Sequence, residues 1–323
     1  MKAKEFVTED AGQLKAIVTG LVKQTDDEAL LHRVYTTLKS NDLTSRLTAA
    51  LNKDQDVGSM LKTIAQVIIT TEGTVDEKMA FAENYANGYI DLEQLFSKNK
   101  VNYNVFVTQG FPQRVFDNLV PVIKQGVGPA ELAFSILSPK IRFTGQESGG
   151  GDLQVDGVGF VELKTEQKKG ARWINPRKAN MNMMAIKKAI ETASGGMPMP
   201  AGGRINTTDW LAVRSYIQQK NPKALKPLCQ LMADSTFTHV TNSMYANALL
   251  KGTSEEIKQA VAWTGFSNYK AYSGFDGILM LSVPKRTAQY FTFISEMEGQ
   301  LKINTTYVLA PEGEMMPQIL LTL

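Results

Sequence analysis

A chain of 323 residues can bury a large core and is expected to hold two domains. Its 43% hydrophobic and 21% charged residues are those of an ordinary globular protein. A net charge of +3 means that any polyanion-binding surface must come from local clustering. The single cysteine, Cys229, excludes an intrachain disulfide and a cysteine-rich zinc site.

The opening MKAKEFVTEDAG lacks the apolar centre of a signal peptide, and no run approaches the ~18 apolar residues of a spanning helix. No membrane partner is expected, and a cytoplasmic location is. Residues 8 to 100 read as helices. Thr8-Glu-Asp and Thr25-Asp-Asp-Glu are helix starts with acids in the first turn. Leu14, Ile17, Val18, Leu21 and Val22 follow a helical stripe, as do Leu30, Leu31, Val34 and Leu38. Leu61, Ile64, Val67 and Ile68 predict another helix, and Asp91 to Leu95 a short one. Tyr103, Val105 and Val107 alternate with polar residues and predict a strand; Phe111-Pro112 then opens a helix through Leu119 to Ile123.

A helix is expected from Pro129, then strands at 141–143, 152–155 and 159–164, a basic loop, and a helix over 180–192. Residues 194 to 204, SGGMPMPAGGR, read as an irregular loop or lid. Helices are predicted over 208–219, 223–233, 237–250 and 253–262. Strands are predicted over 277–283, 290–294, 305–309 and 318–321, and could extend the sheet begun earlier. The pattern is α/β: a helical N-terminal domain over 1–125 and a domain over 126–323 with a mixed sheet flanked by helices.

The chemistry concentrates in GGGDLQVDGVGFVELK, residues 149 to 164. Strand residues alternate faces, so Glu162 and Lys164 share a side while Leu163 is expected to point into the core. If the two halves form a hairpin, Asp152 can lie near Glu162. Two carboxylates and an ammonium would then share a small volume, where like charges repel unless a cation neutralises them. Hard oxygen ligands with room for water suit Mg²⁺ or Mn²⁺. Gly149 to Gly151 would let the backbone approach a ligand closely.

Asp152 followed by Glu162-x-Lys164 across a hairpin resembles the core of the PD-(D/E)xK nuclease superfamily, the restriction-endonuclease-like fold. Gly151 stands where that family has a proline. Glu131, in Gly128-Pro129-Ala130-Glu131 before the apolar LAFSIL, matches the earlier acid that the family often carries on a preceding helix. The resemblance covers roughly residues 126 to 190. It implies a metal-dependent nuclease acting on DNA, with Asp152 and Glu162 as metal ligands, Glu131 holding a second ion or a water, and Lys164 as the catalytic cation. The residues themselves do not exclude RNA.

Lys168, Lys169, Arg172, Arg177 and Lys178 surround Trp173 directly after the motif, pairing cations with an aromatic that could stack on a base. They are the expected nucleic-acid contacts, with Lys187 and Lys188 continuing the basic face and Arg204 closing over it. Asp156-Gly157 is a hairpin turn pair, so Asp156 is assigned to the turn. Glu147 and Glu166 are read as solvated. His32 and His239 lack ligand spacing, and Trp210 and Trp263 sit at helical positions that favour core. No phosphate-binding G-x-x-x-x-G-K-[ST] loop is present, which argues against ATP use. A second reading stays open. The Asn/Gln/Thr-rich texture resembles phage-encoded proteins, and the chain could be a virion or head-completion protein that keeps a nuclease-like fold for DNA binding or architecture. Its partners would then include a virion assembly partner or further copies of itself, and its location the host cytoplasm or the virion.

Overall fold

The computed structural model describes residues 28–41, 43–50, 57–122, 128, 130–144, 150–167, 170–173, 183–197, 205–297, 300, 302–309 and 319–323. The predicted helices before residue 28 lie outside them. The chain divides into two compact units. The first comprises residues 1–95, 102–147 and 152–156, and the second residues 96–101, 148–151 and 157–323.

Among the described residues, the first unit opens with four helices: α1 (Glu28–Ser40), α2 (Leu43–Ala50), α3 (Val57–Thr70) and α4 (Val75–Asn84). Leu30, Val34 and Leu38 recur every fourth residue on α1 and are buried; Leu61, Ile64 and Ile68 do the same on α3. Removing each such side chain from water contributes about 1.5–3 kcal/mol. Thr74 and Glu77 close a capping box on α4, with Glu77 N–H donating to Thr74 Oγ1 at 3.1 Å and Thr74 N–H to Glu77 Oε2 at 2.8 Å. After α5 (Leu92–Leu95) the chain forms the two-residue β1 (Val101–Asn102) and then α6 (Tyr103–Phe106).

The strand expected over Tyr103 to Val107 is thus mostly a helical turn. Tyr103 and Phe106, three apart, are buried and stack edge-on with Phe116, while Val105 is exposed. The aromatic i, i+3 pair overrides the weaker period-two pattern. α7 (Phe111–Leu119) follows, with Pro112 in its first turn. Then come α8 (Glu131–Leu137), β2 (Ile141–Phe143) and β3 (Leu153–Val155), the last two paired antiparallel with Phe143 opposite Leu153.

The second unit is α/β. β4 (Gly159–Glu166) leads into β5 (Ala171–Trp173), so the expected basic loop contains a strand. The chain continues through α9 (Met183–Ala193), β6 (Ile205–Asn206), α10 (Thr207–Lys220), α11 (Pro222–Thr236), α12 (Ser243–Lys251) and α13 (Ser254–Ser273). It closes with β7 (Gly277–Ser282), β8 (Thr287–Phe291), β9 (Lys302–Leu309) and β10 (Ile319–Thr322). β7 runs parallel to β4 and antiparallel to β8, a mixed arrangement. Every residue of β7 and β8 is buried, as expected of strands covered on both faces. The expectation that the later strands extend the motif's sheet holds for β7 and β8 alone. β9 and β10 instead build a second antiparallel sheet in the order β5-β10-β9-β6.

The helices cover one face of β7 and β8. Ile278, Met280 and Phe291 join a buried cluster with Trp210, Ile217, Leu228, Tyr245, Val261 and Phe266. α13 matters most for the site. Thr253 and Glu256 cap its start with a reciprocal box, and Gly274, at φ 70°, ends it in the left-handed conformation. It runs eleven residues past its predicted end at 262, because Thr264, Gly265 and Asn268 are buried in packing rather than forming a break. Its C-terminal end is pinned to the sheet. Lys270 Nζ donates to the carbonyls of Asp276 (2.8 Å) and Thr292 (3.2 Å), and Asp276 N–H donates to the Phe160 carbonyl at 2.7 Å.

Candidate functional site

Asp152 and Glu131 belong to the first unit, Glu162 and Lys164 to the second. In the first unit, Glu131 opens α8 after Ala130, which adopts a left-handed φ of 69°. The Glu131 carboxylate turns back over Gly128 so closely that a Cβ on that glycine would collide with it. Asp152 is half-buried, and its carbonyl accepts from Thr144 N–H at 3.2 Å. Asp156 is the turn residue anticipated. It is exposed and ion-paired with Arg142 at 3.1 Å.

In the second unit β4 presents Glu162, Lys164 and Glu166 in alternation, opposite Ile278, Met280 and Ser282 of β7. Ile278 and Met280 face the helical core, so the charged row points the same way. Glu162 is 2% exposed. Its Oε1 accepts from Lys164 Nζ and from the hydroxyl of Tyr269 on α13, and neither contact uses Oε2. Lys164 Nζ also lies 3.4 Å from the Tyr269 hydroxyl and 5.1 Å from the centre of its ring. The lysine therefore combines an ion pair with a cation–π contact in a largely desolvated setting. The Tyr269 ring packs edge-on against Phe275 at 5.3 Å.

The backbone beside this cluster is crowded. Gly151, at φ 83°, lies against the chain at Val161 and Glu162, where a Cβ would come within 3.0 Å of the Val161 carbonyl carbon and oxygen. A glycine is therefore required at the position just before Asp152, both for its φ and for lack of space.

Glu166, expected to be solvated, is buried at 4% exposure, and its Oε2 accepts from Leu323 N–H at 2.8 Å. A chain segment 157 residues away supplies that partner, which no local pattern could reveal. Tyr269 was not anticipated either, since the predicted helix stopped before it. Among the expected nucleic-acid contacts, Arg172 and Trp173 lie on β5 opposite Leu320 and Ile319 of β10. Lys168, Lys169, Arg177 and Lys178 lie outside the described residues, as do Glu147 and Arg204. Lys187 and Lys188 are exposed on α9.

Among the described residues no three His, Cys, Asp or Glu side chains gather to hold a metal ion. A Mg²⁺ site does not need three, because this ion keeps several waters and binds through one or two carboxylates together with substrate phosphates. Glu162 fits one such ligand, since Oε2 is a hard donor that neither Lys164 nor Tyr269 engages. Burial pushes the Cys229 thiol up to about 12, which keeps it protonated and unreactive at neutral pH. His239 is exposed beside the Tyr272 ring at 5.2 Å. Trp210 is core, its indole N–H donating to the Leu249 carbonyl at 2.9 Å. A groove of about 410 Å³ along α12 and α13, lined by Met244, Lys251, Glu256 and Trp263 among others, contains none of the candidate residues. No described helix is long and apolar enough to cross a membrane. No family model matches the chain, and neither a curated protein nor a solved structure matches it.

Proposed function

We propose that the chain is a metal-dependent nuclease that hydrolyses DNA phosphodiester bonds through Asp152, Glu162 and Lys164. The reading is carried by one observation: a buried glutamate and a lysine alternate on β4 with the ammonium held at the carboxylate. An E-x-K on a solvated strand face would be an incidental ion pair. Burying one costs desolvation of both charges, and a function that needs both groups together accounts for retaining them. Gly151, pressed against the Glu162 backbone, supports the motif's geometry at the residue before Asp152.

A bound Mg²⁺ or Mn²⁺ would supply Lewis-acid charge to the scissile phosphate. Glu162 would offer Oε2 as a ligand, and Asp152 enters as the second ligand through the motif alone. Glu131, by the same resemblance, would orient a water or hold a second ion. Lys164 would place positive charge where the phosphate gains negative charge in the transition state. Arg172, Trp173 and the basic residues around them would bind phosphates without regard to sequence. Replacing Arg172 and Lys178 by Ala should therefore weaken DNA binding uniformly and flatten its salt slope by roughly two.

The second reading, a virion or assembly protein, draws on the same cluster. Glu162 Oε1 is already held by two partners, as a purely structural ion pair would be. Incubating supercoiled plasmid with the protein in Mg²⁺ and in EDTA separates the two. Nicking in Mg²⁺ that EDTA and Asp152→Ala both abolish supports the nuclease. DNA retention without cleavage under every divalent ion supports the architectural protein.

A further inference from the structure

Among the described residues, the hydrogen bonds to the Glu162 carboxylate come to one oxygen. Lys164 Nζ and the Tyr269 hydroxyl converge on Oε1, and both come from anchored elements: β4, paired with β7, and α13, pinned through Lys270 and Asp276. The phenol is itself oriented, with its ring against Phe275 and facing the lysine ammonium 5.1 Å away. A hydroxyl donating to one carboxylate oxygen fixes the plane of the group and directs the other oxygen away from that donor. This is the arrangement by which outer hydrogen-bond partners orient a metal-binding carboxylate.

We propose that Tyr269 is a positioning residue for divalent-cation binding at Glu162. By holding Oε1 it presents Oε2 to the ion, and by its ring it keeps the Lys164 ammonium on the Oε1 side, off the ion's position. The alternative, in which the hydroxyl competes with the ion for Glu162, predicts the opposite sign on removing it. The inference rests on the reading of Glu162 as a metal ligand, but it does not require that the chain cleave DNA.

The test is Mn²⁺ binding by calorimetry on the full chain without DNA, for wild type, Tyr269→Phe and Glu162→Gln. Phe keeps the ring, its packing on Phe275 and its contact with the ammonium, and removes only the hydroxyl. Tyr269→Phe should weaken Mn²⁺ binding about ten- to a hundredfold while still melting in one cooperative transition, and Glu162→Gln should abolish it. An affinity that is unchanged or tighter in Tyr269→Phe overturns the proposal, as does a wild type that binds no Mn²⁺. If Tyr269→Phe does not fold, replacing Tyr269 by 4-aminophenylalanine, which keeps the ring and returns an N–H donor at the para position, must give measurable binding; failure there also counts against it. Plasmid cleavage is scored separately. Weakened Mn²⁺ binding in Tyr269→Phe with no cleavage by wild type would keep the role of Tyr269 and remove the nuclease reading.

Discussion

Two carboxylate–cation pairs in this protein show how differently the same chemistry can be used. Arg142 and Asp156, in the first unit, meet at 3.1 Å with about half of each side chain in water. Glu162 and Lys164, on β4 of the second, are 3% and 16% exposed, and Tyr269 adds a third contact. Water already solvates the first pair, so its formation changes little. The second pair has lost its water, so each member depends on the other. An E-x-K spacing therefore has no fixed meaning. Its meaning comes from what covers the strand.

The largest effect should come from breaking the buried pair. Glu162→Ala leaves the Lys164 ammonium against α13 without its carboxylate and should cost about 3 kcal/mol or more, read as a lower denaturant midpoint. A loss below about 1 kcal/mol would mean the cluster is effectively hydrated. Gly151→Ala should come next, at about 1–3 kcal/mol, because it combines a strained positive φ with a Cβ forced onto the Val161 backbone.

An intermediate case sharpens the contrast. Glu296 pairs with Lys98, the two side chains being 21% and 62% exposed, and its carboxylate also accepts from Thr292 N–H at 2.6 Å and Phe293 N–H at 3.1 Å. Burial, the largest single influence, raises its pKa, but the hydrogen bonds from Lys98, Thr292 and Phe293 together outweigh it and lower the value from 4.5 to about 2. A carboxyl depressed in the folded state stabilises fully above its unfolded value. Its contribution is lost as pH falls from about 4.5 towards 2. Glu296→Gln should therefore lower stability at neutral pH and flatten the acid limb of the stability curve over that window. An unchanged acid limb would contradict this. The smallest effect is expected at the exposed pair, where Asp156→Asn should stay within about 0.5 kcal/mol.

These contrasts also separate what the sequence makes legible from what it hides. Strands β2 and β3, the Asp156-Gly157 turn and the helices over 207–220 and 222–236 follow from local signals: alternation, turn chemistry and 3.6-residue stripes; the helix expected from 237 begins only at Ser243. Ile141–Phe143 forms as expected, and Leu153–Val155 differs only at its first residue. Charge around Trp173 masked the three-residue β5, whose partner β10 lies far along the chain. Thr264 and Gly265 look like a helix end in sequence, but burial carries α13 through them, and so Tyr269 reaches Glu162. The same long-range burial converts Glu166 from a surface acid into an acceptor for Leu323. The alternation of Glu162 and Lys164 on β4 was thus readable from spacing. Their partners were not, because Tyr269 and Leu323 arrive through tertiary packing.

The central claim is that Glu162 and Lys164 are kept buried together for chemistry. The most direct measurement is the rate of plasmid cleavage by wild type and Lys164→Ala in saturating Mg²⁺, with folding of both verified by thermal melting. Wild type should nick DNA in Mg²⁺ and not in EDTA, and Lys164→Ala should lose about 10²–10³-fold in kcat, the scale of removing one transition-state donor. Cleavage by Lys164→Ala at the wild-type rate, or a wild type that cleaves with no divalent cation supplied, would contradict it.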